Sequence, residues 1–217
     1  MVNTYKYIID RYKIDPGRQY FVDIPNIGRD DLAKLFAELE FNDGAEVGVE
    51  RGYYSEVLCK ANPNLHLFSV DPWLASAYEP GAHGVDYDQE HYDSVYREAA
   101  ARLESYNCTI IRKPSLDAVR EFSDSSLDFV YIDGNHDFVN FTNDLHSWKK
   151  KVRIGGIVAG HDYADYAYNK FNHVKKVLEA YVRCYHAVPV FIVGSAAIVD
   201  GETRDRFRSW FWVNRDE

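Results

Sequence analysis

Two carboxylates and two imidazoles, gathered at the ends of two apolar runs, are the groups in this chain best suited to chemistry. Leu127-Asp128-Phe129-Val130-Tyr131-Ile132 runs out at Asp133-Gly134-Asn135-His136, and Gly155-Gly156-Ile157-Val158-Ala159-Gly160 runs out at His161-Asp162. If both runs are parallel strands, both polar tips lie at one sheet edge, where open α/β sheets bind ligands. Two carboxylates with an imidazole suit a divalent cation. Oxygen donors favour magnesium or calcium, and an imidazole shifts the balance toward manganese, iron or zinc. Asp133, His161 and Asp162 are the candidate metal ligands, with magnesium the first choice. Without a metal, His161 would act as a general base, a task that suits imidazole, and Asp162 would orient it or bind substrate. In a third reading His161 and Asp162 only cap the next helix and satisfy loop backbone. His161, Asp162 and His136 form the candidate catalytic set, with His136 holding the loop or touching a bound ligand.

A second constellation lies upstream. Glu46-Val47-Gly48-Val49-Glu50-Arg51-Gly52 occupies the turn from an expected strand, Ala45–Val49, into an expected helix. Glycines there let backbone approach a ligand, and a helix N-terminus favours an anionic group. Glu50 stands where a dinucleotide fold would bring its second glycine to the pyrophosphate, so NAD and FAD are disfavoured. Glu46 suits a cationic or hydrogen-bond-donating ligand. Asp71 ends the next expected strand about 20 residues after Gly52, the spacing at which a carboxylate accepts hydrogen bonds from ribose hydroxyls. Trp73 is placed to stack on an adenine ring. The plainer alternatives are an ordinary strand–helix turn and a turn aspartate.

These groups need a sheet to hold them, and the chain supplies one. Strands are expected at Ala45–Val49, Leu65–Val70, Cys108–Ile111, Leu127–Ile132, residues 155–159, Val188–Val193 and Trp210–Val213. Helical patterns fall between them, clearest at Phe138, Phe141, Leu145, Trp148 and Val152, spaced as a buried helical face. A further helix is expected from about Asp30 to Glu40, capped by Asp30 or Asp31, and others at His91–Tyr106, Ser115–Phe122 and Asn172–Val182. Strands alternating with helices predict an α/β fold: a Rossmann-like, doubly wound, mostly parallel seven-stranded sheet with helices on both faces. Residues 1–28, punctuated by Pro16-Gly17 and Pro25, read as an N-terminal appendage to a domain spanning 29–217. The loop over residues 72–88, which holds His83, is long enough to be a lid. Tyr163, Tyr166 and Tyr168 offer an aromatic wall. Surface cover or a dimer contact is the alternative for both.

Composition narrows the partners. The net charge is −9 and Lys149-Lys150-Lys151 is the only compact basic run, best placed at a helix end, so nucleic acid is not an expected partner. The N-terminus lacks the apolar core of a signal peptide, and no stretch approaches the roughly 20 apolar residues of a membrane span. Cys59, Cys108 and Cys184 match neither a disulfide framework nor zinc spacing, so a cytoplasmic chain with reduced thiols is expected, with no membrane partner. A homodimer is compatible with the aromatic-rich N-terminal segment.

Together, AEVGVERGYYSEVL, LHLFSVDPW, KPSLDA, LDFVYIDGNHDF and VRIGGIVAGHDY, in this order from about Gly44 to Tyr163, resemble the class I S-adenosylmethionine-dependent methyltransferases, and within them methyltransferase family 24. The resemblance implies that Glu46, Gly48 and Gly52, with the adjoining Tyr53, surround the methionine part of S-adenosylmethionine. It implies that Asp71 holds the ribose with Trp73 beside it, that Ser115 and Leu116 meet the adenine, and that Asp133 lies near the sulfonium and amino group. Metal-dependent relatives similar to catechol and macrolide-sugar O-methyltransferases carry acidic ligands at the two strand ends where Asp133 and Asp162 stand. Many relatives also place Ser or Thr directly after a Gly-Gly or Gly-Tyr pair, whereas Tyr53-Tyr54 precede Ser55 here. The implied activity is methyl transfer to a hydroxyl of a small molecule such as a sugar, glycosylated metabolite or phenol. A non-methylating enzyme on the same fold and a cofactor-binding module are the competing expectations.

Overall fold

The computed structural model describes residues 3–77, 87–165, 172–194 and 207–215. Its centre is built from the two apolar runs. β5 (Leu127–Ile132) and β6 (Val152–Gly160) pair in parallel, flanked by β2 (Asp43–Val47) on the side of β5. These strands are nearly continuous in apolar character because helices cover both faces, leaving no solvated side to alternate toward. β3 (His66–Val70) and β4 (Cys108–Ile111) extend the sheet beyond β2, and β7 (Val190–Val193) and β8 (Ser209–Val213) extend it beyond β6. The order is β1-β7-β8-β6-β5-β2-β3-β4, with β8 the antiparallel member. The chain winds outward in opposite directions from β2 and β5, so the topological switch point lies between them.

The sheet has eight strands rather than the expected seven. The extra one, β1 (Phe21–Ile24), comes from the segment read as an appendage, and it pairs in parallel with β7 from Phe21↔Val190 to Ile24↔Val193. α1 (Thr4–Tyr12) is tied to the sheet as well: the Thr4 hydroxyl donates to the Gly155 carbonyl (2.6 Å) and Ile8 is fully buried. Four residues between proline-marked turns carry too little periodicity to announce a strand. Their burial comes from pairing with residues far along the chain.

α2 (Arg29–Glu38), α3 (Tyr53–Ala61), α4 (Gln89–Leu103), α5 (Ser115–Ala118), α6 (Phe138–Lys149) and α7 (Val174–Tyr185) complete the described helices. Asp31 closes the start of α2 by accepting from the Gly28 amide (3.0 Å), and Asp137 caps α6 by accepting from Val139 and Asn140. Lys149 ends α6 with Lys150 at its C-cap, where cations offset the helix dipole. All four tryptophans are buried, so much of the aromatic surplus is core. Tyr163, expected in an aromatic wall, belongs to that core: it stacks on Phe21 and donates to Glu179 (3.0 Å). Tyr166, Tyr168 and His83 lie outside the described residues. All three cysteines are free thiols, and among the described residues no helix is long and apolar enough to cross a membrane.

Candidate functional site

The site forms where β2, β3, β5 and β6 end together. Gly48 follows β2 with φ +91°, and a Cβ on it would fall 2.1 Å from the Asp133 carbonyl oxygen. The two strand ends at the switch point therefore touch through bare backbone, which leaves the space above them for a ligand. Gly52, φ +75°, starts α3, and its Cα side faces Leu103 and Ala99 of α4. Above this turn opens a cavity of about 480 Å³, within the range of small-molecule sites. Glu46, Gly48, Tyr53, Asp71, Trp73, Asp133 and His136, all expected site residues, lie in its lining.

Glu46 is buried and accepts a hydrogen bond from the Ser55 hydroxyl, which also lies 2.8 Å from Ser69 Oγ. Burial pushes the Glu46 carboxyl well above the usual carboxylate range, Asp133 adds to the rise, and Ser55 opposes it. Asp71 is buried with three backbone amides on it: Val49 (2.9 Å) and Glu50 (3.0 Å) on one oxygen, Trp73 (2.8 Å) on the other. Burial raises its pKa against the pull of those amides. Glu50 (φ +49°) and Trp73 (φ +41°) are left-handed non-glycine positions, and Asp71 fastens both. The expected ribose ligand is thus also the clasp of the glycine turn, a role that spacing alone did not reveal. The Trp73 indole donates to the Glu50 carbonyl (2.8 Å) and meets Tyr96 edge to face, so it is a fixed wall. Tyr87, stacked on His91, contributes to the outer lining with Tyr92.

Ser115 and Leu116 lie outside the lining of this cavity. The Ser115 hydroxyl donates to Asp144 (2.5 Å) and accepts from the Trp148 indole (2.8 Å), while Leu116 is exposed. Asp144 is buried in α6, and burial pushes its carboxyl up to about 7.

The acidic and imidazole groups do converge. Ladder bonds from the Asp133 amide to Val47 (2.7 Å) and from the His161 amide to Ile132 (3.1 Å) bring the two strand tips side by side. His136 Nε2 lies 3.2 Å from Asp162 and 3.4 Å from Asp133, buried between them without a directed hydrogen bond. Burial lowers the His136 pKa, but the two carboxylates outweigh it and hold it above the ordinary imidazole value. His161 Nδ1 is 3.4 Å from Asp162 and 3.7 Å from Asp133, and its carbonyl accepts from the Trp210 indole. Asp162 sits at φ +64° and accepts from Asn172 (3.2 Å), whose neighbour His173 donates its amide to the His136 carbonyl. One donor atom each from Asp133, His136 and Asp162 fall within 4.8 Å of one another. Two carboxylates around a buried, unsatisfied imidazole nitrogen fit a divalent cation. The compact triad uses His136 where the sequence reading put His161. Arg29, at the first position of α2, was not foreseen at all: its guanidinium is 3.9 Å from Asp133 and it lines the cavity.

A family model described as a methyltransferase domain matches residues 45–163. The chain is 25% identical over 123 residues to the uncharacterized protein y4gI of Sinorhizobium fredii, a match spanning 54% of this chain and 12% of that protein. An O-methyltransferase from Bacillus cereus, solved with S-adenosylhomocysteine, superposes with a TM-score of 0.60 at 12% identity, covering 99% of this chain and 92% of that one. The O-methyltransferase TomG from Streptomyces achromogenes, involved in tomaymycin synthesis and solved with S-adenosylmethionine, gives 0.56 at 16% identity, covering 99% and 90%.

Proposed function

Because this chain belongs to the methyltransferase-domain family, whose model spans residues 45–163, we propose that it moves a methyl group from S-adenosylmethionine to a hydroxyl of a small molecule, assisted by a divalent cation. The observation that carries this reading is the half-buried Asp133–His136–Asp162 triad, with His136 Nε2 buried between the carboxylates, beside a cavity whose floor is bare backbone at Gly48. When bound, the cofactor supplies an electrophilic methyl carbon on sulfur, and a cation, magnesium or manganese, supplies the charge that lowers the pKa of the acceptor hydroxyl.

The protein's own contribution is placement and proton handling. Asp133, His136 and Asp162 hold the cation. Asp71 receives the ribose hydroxyls on lone pairs left by its three amide contacts, and Trp73 walls the pocket beside it. Glu46 and Asp133 receive the ammonium of the methionine portion. An arriving ammonium favours the ionised form of Glu46, which burial otherwise disfavours. His161, whose Nδ1 lies 3.4 Å from Asp162 and 3.7 Å from Asp133, takes the acceptor's proton. Tyr87, His91 and Tyr92 limit water at the mouth.

A second reading keeps the methyl transfer and drops the cation. The raised pKa of His136 favours an imidazolium that cross-links Asp133 and Asp162 directly. Methyl-labelled S-adenosylmethionine, offered with a panel of sugars and phenols before and after chelation, separates the readings. The first expects labelled product that disappears with chelator and returns with magnesium or manganese. It also expects Asp162→Asn to lose more than the about 10–100-fold that loss of an outer partner costs a metal site. Chelator-insensitive turnover favours the second. Tight cofactor binding without transfer to any hydroxylated acceptor would contradict both, leaving a binding module or a different group transfer.

A further inference from the structure

The two oxygens of the Asp162 carboxylate have different surroundings. Oδ2 faces the cluster, 3.2 Å from His136 Nε2 and 3.4 Å from His161 Nδ1. Oδ1 accepts from the side-chain amide of Asn172 at 3.2 Å, a bond buried at both ends. The last torsion of an aspartate is soft, so a carboxylate left to itself swings over a broad range. A donor on Oδ1 stops that swing and leaves Oδ2 aimed inward. Asp162 also stands at φ +64°, a left-handed position that a non-glycine residue keeps only where its surroundings hold it.

Asn172 is itself held. Its Oδ1 accepts from the Val174 amide (3.3 Å), which settles the amide group with its nitrogen toward Asp162. α7 begins at Val174 and is seated in the core through Val174 and Leu178. Its Glu179 accepts from the hydroxyl of Tyr163, the residue after Asp162 (3.0 Å). The adjoining His173 amide donates to the His136 carbonyl (2.8 Å). Two consecutive residues at the head of one helix therefore brace both loops, that of His136 through backbone and that of Asp162 through a side chain. Asn172 is not among the residues lining the cavity.

We infer that Asn172 is a positioning residue for the cation: its N–H sets the Asp162 carboxylate so that Oδ2 converges with His136 Nε2 and Asp133. The inference rests on the cation reading above. Asn172→Ser keeps a short oxygen for the Val174 amide and removes the donor to Asp162, whereas Asn172→Leu removes both. Manganese titrated into the chelated full chain, followed by electron paramagnetic resonance of the free and bound ion, reads the site without turnover. Both variants are expected to bind manganese about 10–100-fold more weakly than wild type, the usual cost of losing an outer partner of a metal ligand. The bound-ion spectrum of Asn172→Ser is expected to differ from wild type, with S-adenosylhomocysteine affinity unchanged. In chelator, Asn172→Ser is expected to melt close to wild type and Asn172→Leu lower. The proposal is overturned if Asn172→Ser takes manganese with wild-type affinity and spectrum, which leaves Asn172 as a support for the helix head alone. It is also overturned if Asn172→Ser loses manganese affinity, cofactor affinity and melting temperature together, the mark of general loosening. Wild-type protein that takes up no manganese removes the cation reading and the proposal with it.

Discussion

Replacing Asp144 by Asn should make the protein more stable, by an amount that grows as pH rises from the ordinary aspartate value of 3.8 to about 7 and is then constant. The Asp144 carboxyl is 5% exposed, and burial holds it at about 7 against 3.8 for an ordinary aspartate. The native state therefore keeps a proton that the unfolded chain has released between those two values. Because the native state binds more protons there, stability falls as pH rises through that window, and the cost is complete above the native value. At about 1.4 kcal/mol per pH unit, the full cost is about 4 kcal/mol. Asn keeps a carbonyl for the Ser115 hydroxyl, which donates to Asp144 at 2.5 Å, and it does not titrate. Denaturant unfolding at pH 5, 6, 7 and 8 should show the Asn variant gaining on wild type across the series, with unchanged denaturant dependence. In melting temperature, about 4 kcal/mol corresponds to roughly 8–16 °C for a chain of this size. Ser115→Ala removes a hydrogen bond that favours the charged form, so it should move the transition to higher pH. Parallel stability curves for wild type and Asp144→Asn would refute the reasoning.

Gly48→Ala should cost more than about 3 kcal/mol and abolish S-adenosylhomocysteine binding, because strain at φ +91° adds to overlap with the backbone of Asp133. Thermal melts with a ligand titration check this, and a variant that melts and binds like wild type would contradict it. Asp71→Ala should strip the acceptor from three amides at about 1–3 kcal/mol each and loosen the turn before it touches any ligand. Proteolysis near residues 48–52 should quicken in that variant, and unchanged proteolysis would leave Asp71 as a ligand contact only. Chelated wild-type protein should respond to added manganese with a rise in melting temperature that His136→Ala does not show.

The sequence carried the ends of β5 and β6 because parallel strands buried on both faces are uninterrupted apolar runs, and a polar residue at their close stands out. Asp133, His136, His161 and Asp162 were visible for that reason. Which imidazole sits between the carboxylates was not visible, since that depends on how the loop after Asp133 folds back under the His173 amide. β1 escaped notice because four residues gain their burial only by pairing with β7. Arg29 escaped for the same kind of reason: its nearness to Asp133 is set by α2 packing on α3 through Tyr54, a contact with no local pattern. Ser115 shows the converse, a residue placed by family resemblance whose hydroxyl the fold spends on Asp144 and Trp148.

The most direct test of the central claim is calorimetric titration of S-adenosylhomocysteine into chelated protein, followed by magnesium or manganese. The account predicts one cofactor molecule bound per chain, and a cation signal that Asp162→Asn abolishes while cofactor binding persists. Absence of cofactor binding, with and without the cation, would contradict it.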